Sequence, residues 1–173
     1  MRRGPAPSPE VILLLELRAE RLKQAAQADP EESQAWIAEV PVGDETYGIP
    51  LERLRGAMRG ARVTPVPLAP PEVAGIFRFR GEMYTALSLP ALLGGTAAPG
   101  DPNILLVVDA GDGRGVGLGC DDVPRLVGVP ESAAGEPSLH AAAAVRTLSL
   151  PGRRPVNLVD LPRLLARAEV RGA

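Results

Sequence analysis

GIFRFRGEMYTALSL, residues 75–89, is the stretch that decides the fold class of this chain. Apolar and polar side chains alternate on both sides of residues 80–82, and such alternation around a central glycine is typical of a β-hairpin. In an extended strand Phe77 and Phe79 point to one face, and the two arginines of FRFR point to the other. We therefore expect a hairpin that buries both phenylalanines and exposes both arginines.

The chain on both sides of this hairpin repeats the same pattern. Short alternating or β-branched runs are separated by Gly, Asp and Pro at intervals of about 8 to 12 residues, which is typical of an all-β sandwich or barrel. Residues 103–110 are a nearly continuous apolar run of strand length. The other predicted strands lie at 35–42, 47–50, 115–123, RLVGVP (125–130), VRTLSL (145–150) and PVNLV (155–159).

Three segments interrupt the strands. LERLRGAMR, residues 51–59, is predicted to be a short helical or irregular crossover. The stretch 64–73 contains four prolines, each of which removes a donor from a sheet, so we expect an extended loop. Residues 90–93 form a predicted helical turn that two glycines end, and 94–103 is the best candidate for a boundary between two lobes.

Helices are predicted at both ends of the chain. After a disordered lead-in at 1–7, Ser8 caps a helix over about 9–28, and Asp160 caps a terminal helix over LPRLLARAEV. The first helix is amphipathic, so its apolar face needs a partner in water, either the protein's own body or the groove of another protein. The apolar residues at helical spacing are Val11, Leu14, Leu15, Leu22, Ala25 and Ala26.

Charge and the length of the apolar runs exclude two classes of partner. The net charge of −2 gives no overall field that would attract nucleic acid or anionic lipid. FRFR would also suit a base-stacking platform, but core packing of its phenylalanines is the favoured interpretation. The longest apolar run, residues 11–15, is too short to cross a bilayer. We expect no nucleic-acid partner, no direct membrane insertion and a cytoplasmic location.

Residues that support catalysis or metal binding are scarce. His140 and Cys120 are the single histidine and the single cysteine, and neither stands in a metal-ligand or redox spacing. No serine stands in a nucleophile-elbow motif. We therefore expect no metal, no cofactor and no enzymatic activity, and a lone cysteine is compatible with a reducing compartment.

The segment from 111 to 123 invites a phosphate-loop interpretation, which its spacing does not support. Its glycines recur at every second residue from 111 to 119, and this matches a hairpin instead of a phosphate-binding motif. On one strand face such glycines also leave room for another backbone or a bulky side chain of a partner. Cys120 is expected to be a small buried hydrophobe, and Asp121 and Asp122 are expected to point to opposite faces of a strand.

Several of these segments, in this order, resemble one known family. They are YGIP at 47–50, VTPVP at 63–67, VAGIFRFRG at 73–81 and VNLVDLPRLL at 156–165. In order and spacing they resemble the CheW-like chemotaxis coupling proteins, over about residues 35–166. The resemblance implies two small five-stranded β-barrels on a shared apolar core and a C-terminal helix, and the N-terminal helix is an addition to the typical short form of the family.

The resemblance also implies a function and a domain layout. The family consists of non-catalytic scaffolds that link the cytoplasmic domain of methyl-accepting chemoreceptors to a CheA-type histidine kinase in two-component signalling. Such a protein would be recruited to membrane-associated receptor arrays. The implied layout is a helical extension at 8–33, a CheW-like domain at 34–168 and a tail at 169–173. Its first lobe would cover about 43–93 and its second about 103–160, with strand exchange.

By the family pattern, partner contacts are expected at or beside five residues of the first lobe. These are Arg80, Gly75, Leu54, Gly56 and Gly81. An arginine at position 80 would either make bidentate contacts with the partner or lock the hairpin.

The sequence departs from the family pattern at four positions of the same lobe. Gly56 replaces a common glutamate, Arg78 a usual asparagine, and Thr85 and Ser88 replace a proline and an aspartate. The alternative hypothesis is therefore a divergent adaptor that binds a receptor or another regulator but has lost kinase binding.

Overall fold

The computed structural model describes residues 19–20, 34–98, 100–110, 113–130, 145–149 and 152–171. The described strands are β1 (Gln34–Val42), β2 (Glu45–Pro50), β3 (Leu54–Arg59), β4 (Val73–Phe79), β5 (Glu82–Ser88), β6 (Ile104–Asp109), β7 (Gly115–Cys120), β8 (Arg125–Pro130), β9 (Val145–Leu148) and β10 (Val156–Val159). A 3-10 turn (Leu51–Arg53), a short helix α1 (Leu89–Leu92) and a terminal helix α2 (Leu161–Arg171) accompany them.

The strands form two five-stranded sheets. Sheet A has the order β8-β1-β2-β10-β9, and sheet B has the order β3-β6-β7-β5-β4. Sheet B curls so that its two edge strands approach each other, and the ring of Phe79 on β4 packs beside Gly56 on β3. The predicted fold class, a mainly β protein with two small five-stranded units, is confirmed.

The division of the chain between the sheets differs from the predicted lobes. β6 and β7 belong to sheet B with β3 to β5, whereas sheet A joins β1 and β2 to β8, β9 and β10. Two parallel pairings, β2 with β10 and β5 with β7, make this exchange. Lobes at 43–93 and 103–160 therefore do not coincide with the sheets, and 94–103 connects a helical turn to the next strand of the same sheet. Alternation in a sequence identifies strands but not their partners.

The apolar residues form one shared core between the sheets and one smaller interior for each sheet. β6 belongs to two of them at once. Ile104, Leu106 and Val108 point into the shared core, and Leu105 and Val107 point into the interior of sheet B. A strand buried on both faces has no polar positions, which explains the nearly continuous apolar run in the sequence.

The glycines of β7 make room for aromatic rings of the same chain. A Cβ atom on Gly117 would lie 2.5 Å from the ring of Phe77, and a Cβ atom on Gly115 would collide with the ring of Tyr84. The predicted close approach at this glycine face therefore exists. Its occupants are internal side chains instead of those of a partner, and the glycines serve to pack the interior of sheet B.

Helix α2 closes one side of the shared core. Leu161, Leu164 and Leu165 are buried there at helical spacing. The backbone N–H of Arg163 donates to Asp160 Oδ1 at 3.2 Å, so the predicted cap at Asp160 is confirmed. The helix extends to Arg171 and thus into the segment that was predicted to be a tail from residue 169.

The prediction for residues 51–59 was wrong in its second half. After the 3-10 turn the chain continues as strand β3, whose register with β6 shifts between Leu54 and Gly56. Such a bulge changes which face the following side chains occupy, and this shift obscured the strand alternation in the sequence. The loop predicted over 64–73 ends one residue early, because β4 begins at Val73, and the turn predicted at 80–82 is limited to 80–81, because β5 begins at Glu82.

The prediction for Asp121 and Asp122 was also wrong. Strand β7 ends at Cys120, and both aspartates are exposed in the turn that follows, so neither points inward. Cys120 itself is 2% exposed, which confirms its expected packing role.

Several predictions fall outside the described residues. They concern the lead-in at 1–7, His140 and the N-terminal helix at 9–28, of which only Ala19 and Glu20 are described, both in helical conformation. In the parts of the chain that the structure describes, no helix has the length and apolar character to cross a membrane.

Candidate partner-binding surface

The outward side of strands β4 and β5 is an exposed and partly apolar surface. Ile76 lies opposite Thr85, and Arg78 lies opposite Met83, and all four side chains are exposed. Met83 is 61% exposed and Ile76 is 37% exposed, so both side chains add apolar area to this surface. We call these four residues the hairpin face.

A groove continues the hairpin face toward helix α2. Thr85 lies beside Val116 of β7, and both line a groove of about 530 Å³. Leu87 lines the same groove from sheet B, and Pro162 and Leu165 line it from the first turns of α2. The hairpin face and the groove together form a continuous strip that is apolar along its middle.

The turn of the hairpin places an arginine in an unusual backbone conformation. Arg80 has φ 50° and Gly81 has φ 91°, the signs that a two-residue type I′ turn requires. Arg80 is exposed, and its Cζ atom lies 4.9 Å from the centre of the Phe79 ring. At this distance a guanidinium is attracted to the face of the ring. The side chain is thus held at the tip of the hairpin, where a partner would reach it.

Two of the expected contact residues are buried glycines. A Cβ atom on Gly56 would lie 2.6 Å from the ring of Phe79. Gly75 has φ 148° at a bulge in β4, and a Cβ atom there would collide with the backbone carbonyl oxygen of Thr64. Both positions need glycine for internal packing, so a substitution at either one would act on a partner through the fold.

Leu54 lies apart from the other candidates. It is half-buried against the shared core and lies opposite Val108 at the bulge of β3. The structure brings Gly56 and Arg80 together around Phe79, with Gly81 next to Arg80 in the turn, whereas Leu54 and Gly75 lie elsewhere on β3 and β4. The five residues therefore do not make one contact surface.

Sequence reasoning missed the apolar members of the hairpin face, although a signal for them exists. Alternation from Phe77 places Ile76 on the outward side of β4, and pairing across the hairpin places Met83 beside Arg78. Neighbouring apolar residues at outward strand positions form an exposed patch, which makes that face a candidate for binding. The groove gave no sequence signal, because its walls come from distant segments.

An ion pair fixes the connection between β6 and β7 beside the groove. Arg55 Nη2 lies 2.6 Å from Asp109 Oδ2 and donates to the carbonyl oxygen of Gly113 at 2.9 Å. The hydrogen bond with Asp109 raises the pKa of the Arg55 guanidinium above its ordinary value. This charged pair anchors the segment that contributes Ala110 and Arg114 to the groove wall.

Two of the titratable groups with raised pKa values, Cys120 and Tyr47, are buried packing residues. Burial raises the pKa of the Cys120 thiol to about 12, and burial together with a hydrogen bond to Glu45 raises the pKa of Tyr47 to about 12. A thiol that stays protonated at neutral pH is a poor nucleophile. Among the described residues no group of three or more His, Cys, Asp or Glu side chains is placed to hold a metal ion.

The described residues form two five-stranded sheets on a shared core, and the outward side of the β4–β5 hairpin is exposed. The family model of the CheW-like domain matches residues 37–169, so the chain belongs to the CheW-like family. This family consists of non-catalytic scaffold proteins, and membership in it confirms the prediction that the chain is not an enzyme.

Two individual proteins illustrate the relationship. The chain is 29% identical over 152 residues to Protein FrzA of Myxococcus xanthus, a match that covers 85% of this chain and 93% of FrzA. The crystal structure of the scaffolding protein TtCheW from Thermoanaerobacter tengcongensis matches with a TM-score of 0.67 at 19% identity. That match covers 76% of this chain and 92% of TtCheW, and it supports the fold.

Proposed function

We propose that this protein is an adaptor of a bacterial chemosensory system that couples the cytoplasmic domain of a chemoreceptor to a CheA-type histidine kinase. It would act on the cytoplasmic side, recruited to membrane-associated receptor arrays. Family membership supports the scaffold role, and the strip formed by the hairpin face and the groove supports the contact with a receptor. The strip is the observation on which this proposal depends.

The chemistry of the strip suits a helical partner. A helix presents one apolar stripe with polar side chains on both sides of it, and such helices bind in apolar grooves. Met83 and Val116 are the apolar side chains in the middle of the strip, Thr85 lies between them with its hydroxyl group, and Arg78 and Arg114 add positive charge beside it. We therefore expect the tip of a receptor's cytoplasmic helical hairpin to bind here through an apolar stripe that acidic residues flank.

Co-sedimentation of the full chain with a receptor cytoplasmic fragment tests this proposal. Met83→Glu places a charge in the middle of the strip and should reduce the bound fraction at least tenfold. Val123→Glu is the matched control, because Val123 is also exposed, at 45%, but lies beside Glu39 and Thr46 of sheet A. Equal binding by both variants would contradict a receptor site on the hairpin face.

Leu54, in contrast, is a poor site for such a test. Its side chain is half-buried against the shared core, so a charge there would also destabilise the fold. Loss of binding by a charged variant at this position would not distinguish a contact from unfolding.

The second candidate is an adaptor that binds a receptor or another regulator without the kinase. It is favoured by the exposure of Arg78 and Thr85, two of the four departures from the family pattern. The other two are internal, since Gly56 packs against Phe79 and Ser88 Oγ accepts a hydrogen bond from the N–H of Ala91 at 3.4 Å. Adding a CheA-type kinase to the co-sedimentation separates the candidates: retention of the receptor without the kinase supports the second.

A further inference from the structure

The loop between β3 and β4 carries exposed apolar side chains at its tip. Leu68 is 105% exposed, so no described part of the chain covers it, and Val66 is 42% exposed. We call Val66 and Leu68 the apolar knob. A single exposed leucine is common on protein surfaces, so the backbone conformation of this one decides how it is interpreted.

Leu68 has an unfavourable backbone conformation. The N–H of Ala69 donates to the carbonyl oxygen of Val66 at 3.3 Å, which makes 66–69 a β-turn with Pro67 and Leu68 at its centre. Leu68 has φ 62°, and a type II turn normally has glycine or asparagine at this position. A strained residue whose side chain is fully exposed does not stabilise the fold, which indicates a role outside it.

The knob is held firmly on the body of the protein. Thr64 and Ile76 exchange two backbone hydrogen bonds, at 2.8 and 2.9 Å, which tie the start of the loop to β4. At the other end, the N–H of Ser88 donates to the carbonyl oxygen of Glu72 at 2.8 Å. Four prolines between these anchors fix φ. Little conformational entropy would therefore be lost when a partner covers the knob.

The groove beside the hairpin face opens next to the knob. Pro70 lines the groove, and one residue separates it from Leu68, so the two Cα atoms lie within about 8 Å of each other. Arg114 is the one charged side chain among the described residues that line the groove. Leu68 does not fill the groove of its own chain, because its side chain is fully exposed.

A second copy of this chain matches both features at once. Residues 63–71 contain no charged side chain, so the knob can enter a mainly apolar groove without burying a charge. Because the knob and the groove are neighbours on one surface, a two-fold axis between them places each knob at the groove of the other copy. Such an arrangement is closed and stops at two copies. The net charge of −2 adds little repulsion between them.

We propose that two copies of this chain form a two-fold dimer in which Leu68 of each protomer enters the groove of its partner, between β5 and α2. Two knobs and two grooves make a small interface, of less than about 1,200 Å² in total, which is the size of weak and transient contacts. The dimer requires neither receptor nor kinase. One consequence rests on the proposed function: a receptor helix and a second copy would compete for the groove.

Sedimentation equilibrium of the full chain measures this association. We expect a monomer–dimer equilibrium with a dissociation constant in the micromolar range, which Leu68→Asp should raise at least tenfold. Leu68→Gly also removes the side chain but suits the positive φ, so it should weaken the dimer without lowering the midpoint of urea denaturation. Val123→Asp is the control, since Val123 is exposed beside Glu39 of sheet A, and it should associate like the unmodified chain.

Three results would overturn the proposal. The first is a chain that is still monomeric at about 1 mM. The second is a dimer that Leu68→Asp leaves as tight as before. The third is association that continues beyond two copies, because a two-fold arrangement closes on itself.

Disulfide formation between separate chains tests the knob-in-groove contact itself. Leu68→Cys and Thr85→Cys are made as two single variants and mixed, so a disulfide between the new thiols can only join two chains; Cys120 is buried. Thr85 is exposed and lines the groove. Mild oxidation should give this mixed disulfide at least tenfold faster than it does in a mixture of Leu68→Cys and Val123→Cys.

Equal rates in the two mixtures would overturn the contact, even if the chain dimerises through another surface. Neither measurement uses a receptor or a kinase. A negative result here is therefore distinct from failure of the adaptor proposal, which the co-sedimentation of Met83→Glu tests separately.

Discussion

Arg80→Asn separates the two roles that an arginine at the hairpin tip would have. In a type I′ turn both central residues have positive φ, and Asn is the side chain that most readily takes the first position. Replacing Arg80 by Asn therefore removes only part of a backbone cost of about 1 to 2 kcal/mol, because Asn is still an L-residue at positive φ. It also removes the attraction of the guanidinium to the Phe79 ring, about 0.5 to 1 kcal/mol at an exposed site. The two changes nearly cancel, and we expect the free energy of unfolding to change by less than about 1 kcal/mol.

Partner binding should respond differently to the same substitution. A hydrogen bond from a charged donor contributes about 1.5 to 3 kcal/mol, which corresponds to a loss of affinity of roughly tenfold to more than a hundredfold. Arg80→Lys is the companion variant: it keeps the charge but loses the planar fork that binds a carboxylate bidentately. We expect Lys to recover part of the affinity and Asn to recover none.

The assay pairs urea denaturation with co-sedimentation or calorimetric titration of a receptor cytoplasmic fragment. Full receptor and kinase affinity in Arg80→Asn would refute a contact role for the guanidinium. A loss of stability above about 2 kcal/mol, in parallel with the loss of binding, would instead show that the arginine locks the hairpin.

Three further predictions concern a glycine, a thiol and a surface arginine. Gly75→Ala should destabilise the protein by about 1 to 3 kcal/mol in urea denaturation, because the new Cβ collides with the Thr64 carbonyl and φ is 148°; an unchanged midpoint would contradict the bulge geometry. The Cys120 thiol, with its pKa raised from 9.0 to about 12, stays neutral in the folded state while the unfolded state ionises. Its contribution to stability is full below pH 9 and is lost as the pH rises toward 12, by about 1.4 kcal/mol between pH 8 and pH 10. Cys120→Ala should lack this part of the slope. Arg78→Asn should change the free energy of unfolding by less than about 0.5 kcal/mol, since the side chain is exposed. It should change the affinity for the kinase or for the receptor. If the variant binds both partners as tightly as the unmodified chain does, residue 78 does not determine partner binding.

The sequence predicts most strands of this fold because their alternation is regular. The hairpin at 75–89, the buried run at 103–110 and the Asp160 cap are all found where they were expected. β3 was missed because its bulge at Gly56 breaks the alternation. The expected lobe bounds, which already allowed for strand exchange, could not be matched to the sheets in advance, because nothing in a single sequence marks a parallel pairing between strands as distant as β2 and β10.

The candidate site was less predictable than the fold, and the glycines show why. A family resemblance indicates which residues match contact positions of the family, but it does not indicate whether those residues are exposed in this chain. Gly56 and Gly75 match positions near family contacts, yet both are buried and needed for packing. Met83 could have been recognised as an apolar residue on an outward strand position. The groove required the structure, because Val116 and Leu165 meet only through tertiary packing.

Sheet B explains how one hairpin can be both a rigid core element and a variable binding surface. Phe77 and Phe79 point inward and pack closely against Gly117 and Gly56, so the inward positions tolerate little change. The period of two places every second residue on the outward face, where Arg78 makes no contribution to that interior. Substitution at outward positions therefore changes what the surface binds without changing the fold that presents it. A CheW-like chain can for this reason keep its family fold while it loses one partner. Comparing family sequences at the outward positions of this hairpin is therefore more informative about binding partners than the sequence identity of the whole chain.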